Sequence, residues 1–160
     1  MKGLFMDVYF ESGRVSAKLR QQIADACEFY GNLLMDPRMV RNLRIDINVV
    51  KKLEVMGECV NEDSTARPCW FTINLRNKPS DDCIFKTLAH EMVHVKQYAK
   101  GELGKDLVVS RGGLQIQSRW MGTPWKPKSK EDGYFDSPWE IEAYGREVGL
   151  YKRWVEYMGA

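Results

Sequence analysis

The chain contains two histidines, and they stand four residues apart. The surrounding stretch reads Leu88-Ala89-His90-Glu91-Met92-Val93-His94-Val95-Lys96-Gln97-Tyr98. On a helix, positions i and i+4 lie one turn apart on the same face. The flanking residues predict such a helix. Pro79 keeps the residue before it out of helical geometry. Ser80 is a suitable cap, and Asp81 and Asp82 place negative charge in the first turn. Gly101, after Lys100, is a suitable stop. Ile84, Leu88, Met92, Val95 and Ala99 recur at helical spacing and gather on one side at ~100° per residue. His90, His94 and Gln97 gather roughly opposite. The expectation is a helix that buries one face in a core and displays both imidazoles on another.

Two imidazoles placed this way can grip one zinc ion, one per chain. The glutamate beside the first, Glu91, can then act on a zinc-bound water. The bland alternative is a histidine pair with no metal. A catalytic zinc usually takes three protein ligands and a water. No third histidine exists, so the third ligand is expected to be a carboxylate, with a cysteine as the lesser option.

Residues 138–144, Pro-Trp-Glu-Ile-Glu-Ala-Tyr, offer two glutamates. Ser137 reads as an N-cap and Pro138 as the first helical residue. The helix is expected to run to about residue 157, with Ile141, Tyr144, Val148, Tyr151, Val155 and Met158 as its apolar stripe. Glu140 falls within roughly 50° of the centre of that stripe, and Glu142 falls roughly opposite. Glu140 is therefore the expected ligand, with Glu142 as the alternative. Glu147 shares the side of Glu140, two turns on, where it can hydrogen-bond around the site. A competing use for Glu140 is a capping box, spelled by Ser137-x-x-Glu140.

A length of 160 residues suits one domain, 1–160, with a hydrophobic core of its own. The net charge of +2 is too small to argue for nucleic acid. No apolar run approaches the ~18 residues of a membrane span. The first residues, MKGLFMDVYFESGR, carry acidic groups inside their apolar part and do not read as a secretory signal. Cys27, Cys59, Cys69 and Cys83 form no Cys-x-x-Cys pair. Reduced thiols in a cytoplasm are expected, a host's cytoplasm if the chain is viral.

The remaining pattern is α+β. Alternation predicts a strand within residues 1–10, with a turn at Glu11-Ser12-Gly13. Ser16 caps a helix whose face is Leu19, Ile23, Ala26, Cys27, Tyr30 and Leu34. Asp36-Pro37 opens a short helix. Strands are expected over 43–50 and 67–77, with a loop around 61–65. Leu107–Val109 and Leu114–Ile116 flank Arg111-Gly112-Gly113 and suggest a hairpin. Residues 122–136 read as a long exposed loop.

With these residues in place, the chain resembles the gluzincin metallopeptidases, in which a His-Glu-x-x-His helix is followed by Glu-x-x-Ala on a second helix. Glu140 and Ala143 take those positions here. The longer string, with Arg119-Trp120-Met121-Gly122 between the two motifs, is similar to small phage-type and SprT-like peptidases over roughly residues 67–157. It lacks the third histidine and the cysteine zinc ribbon of SprT proteins. The resemblance implies a small zincin-like fold. In that fold a short mixed β-sheet packs on the N-terminal helix and the His-Glu helix. A C-terminal helix carries the third ligand, and strand 67–77 borders the cleft.

The activity implied is that of a zinc-dependent peptidase. His90, His94 and Glu140 hold the metal, and Glu91 is the general base. Tyr144, or Tyr134, is the candidate to stabilise the oxyanion. The substrate would be a protein or peptide, paired along strand 67–77 as an edge. Two other readings stand beside it. One is a zinc-stabilised binding or structural protein, phage-like and without turnover. The other is a nucleic-acid-associated protein using Arg119, Lys126, Lys128 and Lys130. Neither a membrane nor nucleic acid is an expected partner.

Overall fold

Why the middle of the chain forms a sheet is plain from its register. In the computed structural model, which describes residues 5–11, 15–77, 81–129 and 133–159, strands β1 (Asp7–Phe10), β2 (Arg44–Val50), β3 (Gly57–Asn61) and β4 (Trp70–Arg76) form a sheet of order β1-β2-β4-β3. β1, β2 and β4 run parallel, and β3 is antiparallel to β4. Ile45 lies opposite Phe71, Ile47 opposite Ile73 and Val49 opposite Leu75. These six side chains share one face and are buried. Helix α1 (Ala17–Leu34) and helix α3 (Asp81–Ala99) complete that core with Ile23, Tyr30, Leu88 and Met92. The other face is polar. Its buried member, Asp46, accepts hydrogen bonds from Trp70 Nε1 (2.8 Å) and Arg44 Nε (3.0 Å), which satisfies the carboxylate.

The local signals behave as their chemistry requires. Ser16 Oγ accepts the Leu19 amide and starts α1. Asp36 caps the short helix α2 (Pro37–Asn42) through the Arg38 amide. Gly101, at φ +72°, ends α3, with the Glu102 amide bonded back to the Gln97 carbonyl at 2.8 Å. The expected hairpin is longer than its apolar ends suggested. β5 (Leu103–Ser110) pairs with β6 (Gly113–Trp120), and the short β7 (Thr123–Pro124) extends it. Helix α4 (Pro138–Gly159) closes the chain, with Ser137 at its cap accepting the Ile141 amide on its carbonyl. The Pro79–Ser80 start signal for α3, Leu4, the Ser12-Gly13 turn and Lys130 lie outside the described residues. Cys27, Cys59 and Cys69 are free thiols, as expected.

Three expectations need correction. First, strand 67–77 is not an edge. β3, which the alternation did not reveal, covers its open side and is itself the edge. Second, α3 does not display its histidines to solvent. His90 and His94 are 7% and 8% exposed, because α4 lies over them. Third, the apolar stripe expected on α4 faces outward. Ile141, Val148 and Val155 are 58%, 43% and 50% exposed. The buried positions are Glu140, Ala143, Leu150 and Trp154, a stripe turned by one residue, roughly 100° on the helix wheel. Trp154 decides this packing by entering an aromatic group with Phe29, Tyr30 and Phe85 at centroid distances of 5.5–6.2 Å. The carboxylates on the same stripe find histidine partners. Glu140 is buried, as expected, although the stripe used to argue it was the wrong one.

Candidate metal centre

His90 and His94 stand one turn apart on α3, and Glu140 reaches them from the first turn of α4. The two Nε2 atoms are 3.2 Å apart. Glu140 Oε2 is 3.2 Å from His90 Nε2, and Oε1 is 3.3 Å from His94 Nε2. All three residues are buried, and together they can hold a metal ion. The capping box does not compete. The Ser137 amide bonds to the Tyr134 carbonyl, so the Glu140 carboxylate is left to the histidines.

The neighbouring hydrogen bonds decide what the triad can be. His90 Nδ1 lies 2.8 Å from Glu147 Oε2. A carboxylate accepts, so Nδ1 carries the hydrogen and Nε2 presents its lone pair. His94 Nδ1 lies 2.8 Å from Gln97 Oε1, while Gln97 Nε2 donates to the Trp139 carbonyl at 2.9 Å. That anchors the amide and assigns the same tautomer to His94. Three lone-pair donors thus converge within 3.3 Å, an arrangement that asks for a cation. The separations match the edges, about 3.3 Å, of a tetrahedron around an ion bound at about 2.0 Å.

A proton can serve the same need. Burial alone would lower the pKa of His90, but the Glu140 hydrogen bond, the charge of Glu91, the Glu147 hydrogen bond and the charge of Glu140 outweigh it and raise the value. Burial would likewise raise Glu140, yet the bonds from His90 and His94 hold it down at about 2. Glu140 is therefore ionised, as a metal ligand must be. Glu142, the alternative ligand, is committed elsewhere. Its Oε1 is 2.8 Å from Lys96 Nζ, which also meets Glu102 Oε2 at 2.7 Å. No cysteine joins the triad among the described residues.

Glu91 sits on the same helix at 4% exposure. Desolvation, the largest cause, pushes its pKa up to about 7. His94 and His90 pull it down, while Glu140 and Glu58 add to the rise. The start of β3 runs directly over it. A methyl group at Gly57 would sit 3.1 Å from Glu91 Oε1 and 2.5 Å from Thr87 Cγ2. Only glycine lets the strand pass so close. The sequence signal was an isolated glycine, Met56-Gly57-Glu58, opening a short run too irregular to read as a strand.

A cleft of about 440 Å³ opens beside Glu91 and His90, and Tyr134 and Tyr144 line it. The Tyr144 ring meets the His90 ring edge to face at 4.6 Å. The Tyr134 phenol has a raised pKa, from burial first and then from the charge of Glu140 and from Tyr144. Both tyrosines singled out from the sequence therefore stand at the site. The lysines Lys126 and Lys128 do not line the cleft. No helix is long and apolar enough to cross a membrane. Comparison with family models, with curated proteins and with solved structures found no match to this chain.

Proposed function

We propose that this protein is a zinc-dependent peptidase of the gluzincin type with a zincin-like fold. The observation that carries the reading is the convergence of two tautomer-fixed Nε2 atoms and an ionised Glu140 beside a buried, basic-shifted Glu91. Histidine and carboxylate donors in a three-ligand set with an open side suit catalytic zinc. A mixed sheet with an antiparallel edge strand over α3, and the third donor on α4, supports the zincin-like arrangement. When bound there, zinc supplies Lewis acidity, which polarises a carbonyl and lowers the pKa of water towards neutrality.

The chain's own groups do the rest. Glu91, a buried carboxyl beside the triad, takes a proton from the attacking water and passes it to the leaving amine. Tyr144 and Tyr134 offer phenol donors for the developing oxyanion. The free edge of β3, rather than β4, aligns an extended peptide by backbone pairing. Glu147 and Gln97 hold the histidine rings in place. The free thiols fit a reducing compartment such as a cytoplasm.

Cleavage of a mixed fluorogenic peptide library tests the reading. Activity is expected in the zinc-loaded protein and should be lost with a chelator. In Glu91→Gln it should fall about 10²- to 10⁴-fold with zinc retained. Unchanged cleavage in Glu91→Gln would remove the assigned base.

A further inference from the structure

We propose that Arg76 makes the cleft beside Glu91 a receptor for a carboxylate carried close to the bond that is cut. The carboxylate belongs either to an acidic side chain or to the substrate's free C-terminus. The proposal rests on the peptidase reading only for what the carboxylate is attached to.

Arg76 is the last residue of β4 and lines the cleft together with His90, Glu91 and Tyr144. A guanidinium has five N–H donors. One Nη1 donor makes a long 3.3 Å bond to the Leu53 carbonyl, and Nη2 meets Met56 Sδ. Nε is buried with no hydrogen-bond partner among the described residues. No carboxylate among them pairs with Arg76, whereas Arg44 and Arg119 each face one and Lys96 faces two. Arg76 is partly exposed, and its charge has no counter-charge among the described residues. A ligand carboxylate, forked end-on onto the remaining N–H groups of Nη1 and Nη2, would supply that counter-charge.

The rest of the cleft agrees. Lys86 adds a second positive group on the α3 wall, 3.4 Å from Glu147 Oε1. Of the three carboxylates on the lining, Glu147 is engaged by Lys86 and His90, Glu91 is buried, and Glu54 is exposed. Val55 and Met56, half exposed at the rim, offer apolar contact to the stem of a side chain. The volume, about 440 Å³, equals the space of on the order of a dozen waters at ~30 Å³ each. That is ample for one acidic residue.

The test is binding, measured separately from cleavage. Zinc-loaded Glu91→Gln protein is titrated into fluorescein-labelled peptide pairs and followed by anisotropy. One set replaces Glu by Gln at each position in turn, and the other compares a C-terminal acid with its amide. The acid of one pair is expected to bind roughly tenfold tighter than its amide. The set in which this occurs names the source of the carboxylate. The ratio should fall to near one when Arg76→Gln is added and should be partly kept with Arg76→Lys. Zinc content and circular dichroism check that each variant is folded. No acid–amide preference in any pair, or no peptide bound, would overturn the proposal even if Arg76→Gln did not fold. The same preference in Arg76→Gln would also overturn it. An Arg76-dependent preference in a protein that cleaves no peptide would sink the peptidase reading and leave this one standing.

Discussion

His90 Nδ1 and Glu147 Oε2 are 2.8 Å apart across the α3–α4 contact. That single bond settles which nitrogen His90 turns towards His94 and Glu140. Removing it frees the ring and the tautomer. Glu147→Ala is expected to weaken zinc binding about 10- to 100-fold while leaving all three ligands in place. Competition against a fluorescent zinc chelator measures this. Unchanged affinity would mean that the ring is held by packing alone.

Gly57→Ala places a methyl 2.5 Å from Thr87 Cγ2 and 3.1 Å from Glu91 Oε1. The overpacking should cost about 1–3 kcal/mol, read by urea denaturation. Cleavage should fall further than stability implies, because Glu91 moves, while zinc content holds. Adding Thr87→Ser relieves the tighter contact and should recover part of the stability. Full stability in Gly57→Ala would contradict the close passage of β3.

Lys96 is 6% exposed and bridges Glu142 and Glu102. Lys96→Met leaves Glu142 without its cation and Glu102 with only the more distant Lys100 Nζ, 3.9 Å from its Oε1. The expected loss is about 3 kcal/mol, at the low end for a buried pair because Glu142 keeps some solvent. Denaturant titration tests the size. Zinc content should not change, since the network ties α3 to α4 without touching the triad.

The pH dependence of the zinc effect has a definite sign. The folded pKa of His90 lies above its ordinary 6.5, so in the zinc-free protein its charged form stabilises the fold below pH ~6.5 and is lost as pH rises through the raised value. Glu140, lowered from 4.5 to about 2, contributes above pH ~4.5 and is lost as pH falls through about 2. These two groups are thus most stabilising between these limits, while Glu91, raised from 4.5 to about 7, works against the fold as pH rises from about 4.5 through about 7. Zinc must displace the His90 proton, so its effect runs the other way. At 100 times Kd the gain is about 2.7 kcal/mol. The rise in Tm on adding zinc at fixed concentration should be small near pH 5.5 and grow towards pH 8. A rise that is flat, or larger at low pH, would contradict the assigned charges.

The elements that could be read from the sequence are those whose local chemistry decides them. Ser16 and Asp36 cap helices through amides two or three residues on, whatever the core does. β2 and β4 alternate because one face is buried. The His90–His94 spacing forces one helical face. What could not be read depends on partners distant in the chain. α4 carries two rival stripes, and only Trp154 meeting Phe29 and Phe85, with Glu140 meeting two histidines, selects between them. Hydrophobicity alone favoured Ile141, Val148 and Val155. β3 is short, and Glu58 and Val60 on its outer side are exposed, so its pattern carried no face. Its pairing with β4 is what makes it a strand, and Gly57 matters only because Glu91 lies beneath it.

Zinc content, measured by mass spectrometry on protein purified after growth with zinc, tests the central claim most directly. The native chain is expected to hold about one zinc. His90→Ala and Glu140→Ala should lose it, and Glu142→Ala should keep it. A native protein that takes up no zinc, or a Glu140→Ala protein that retains it at native affinity, would contradict the assignment.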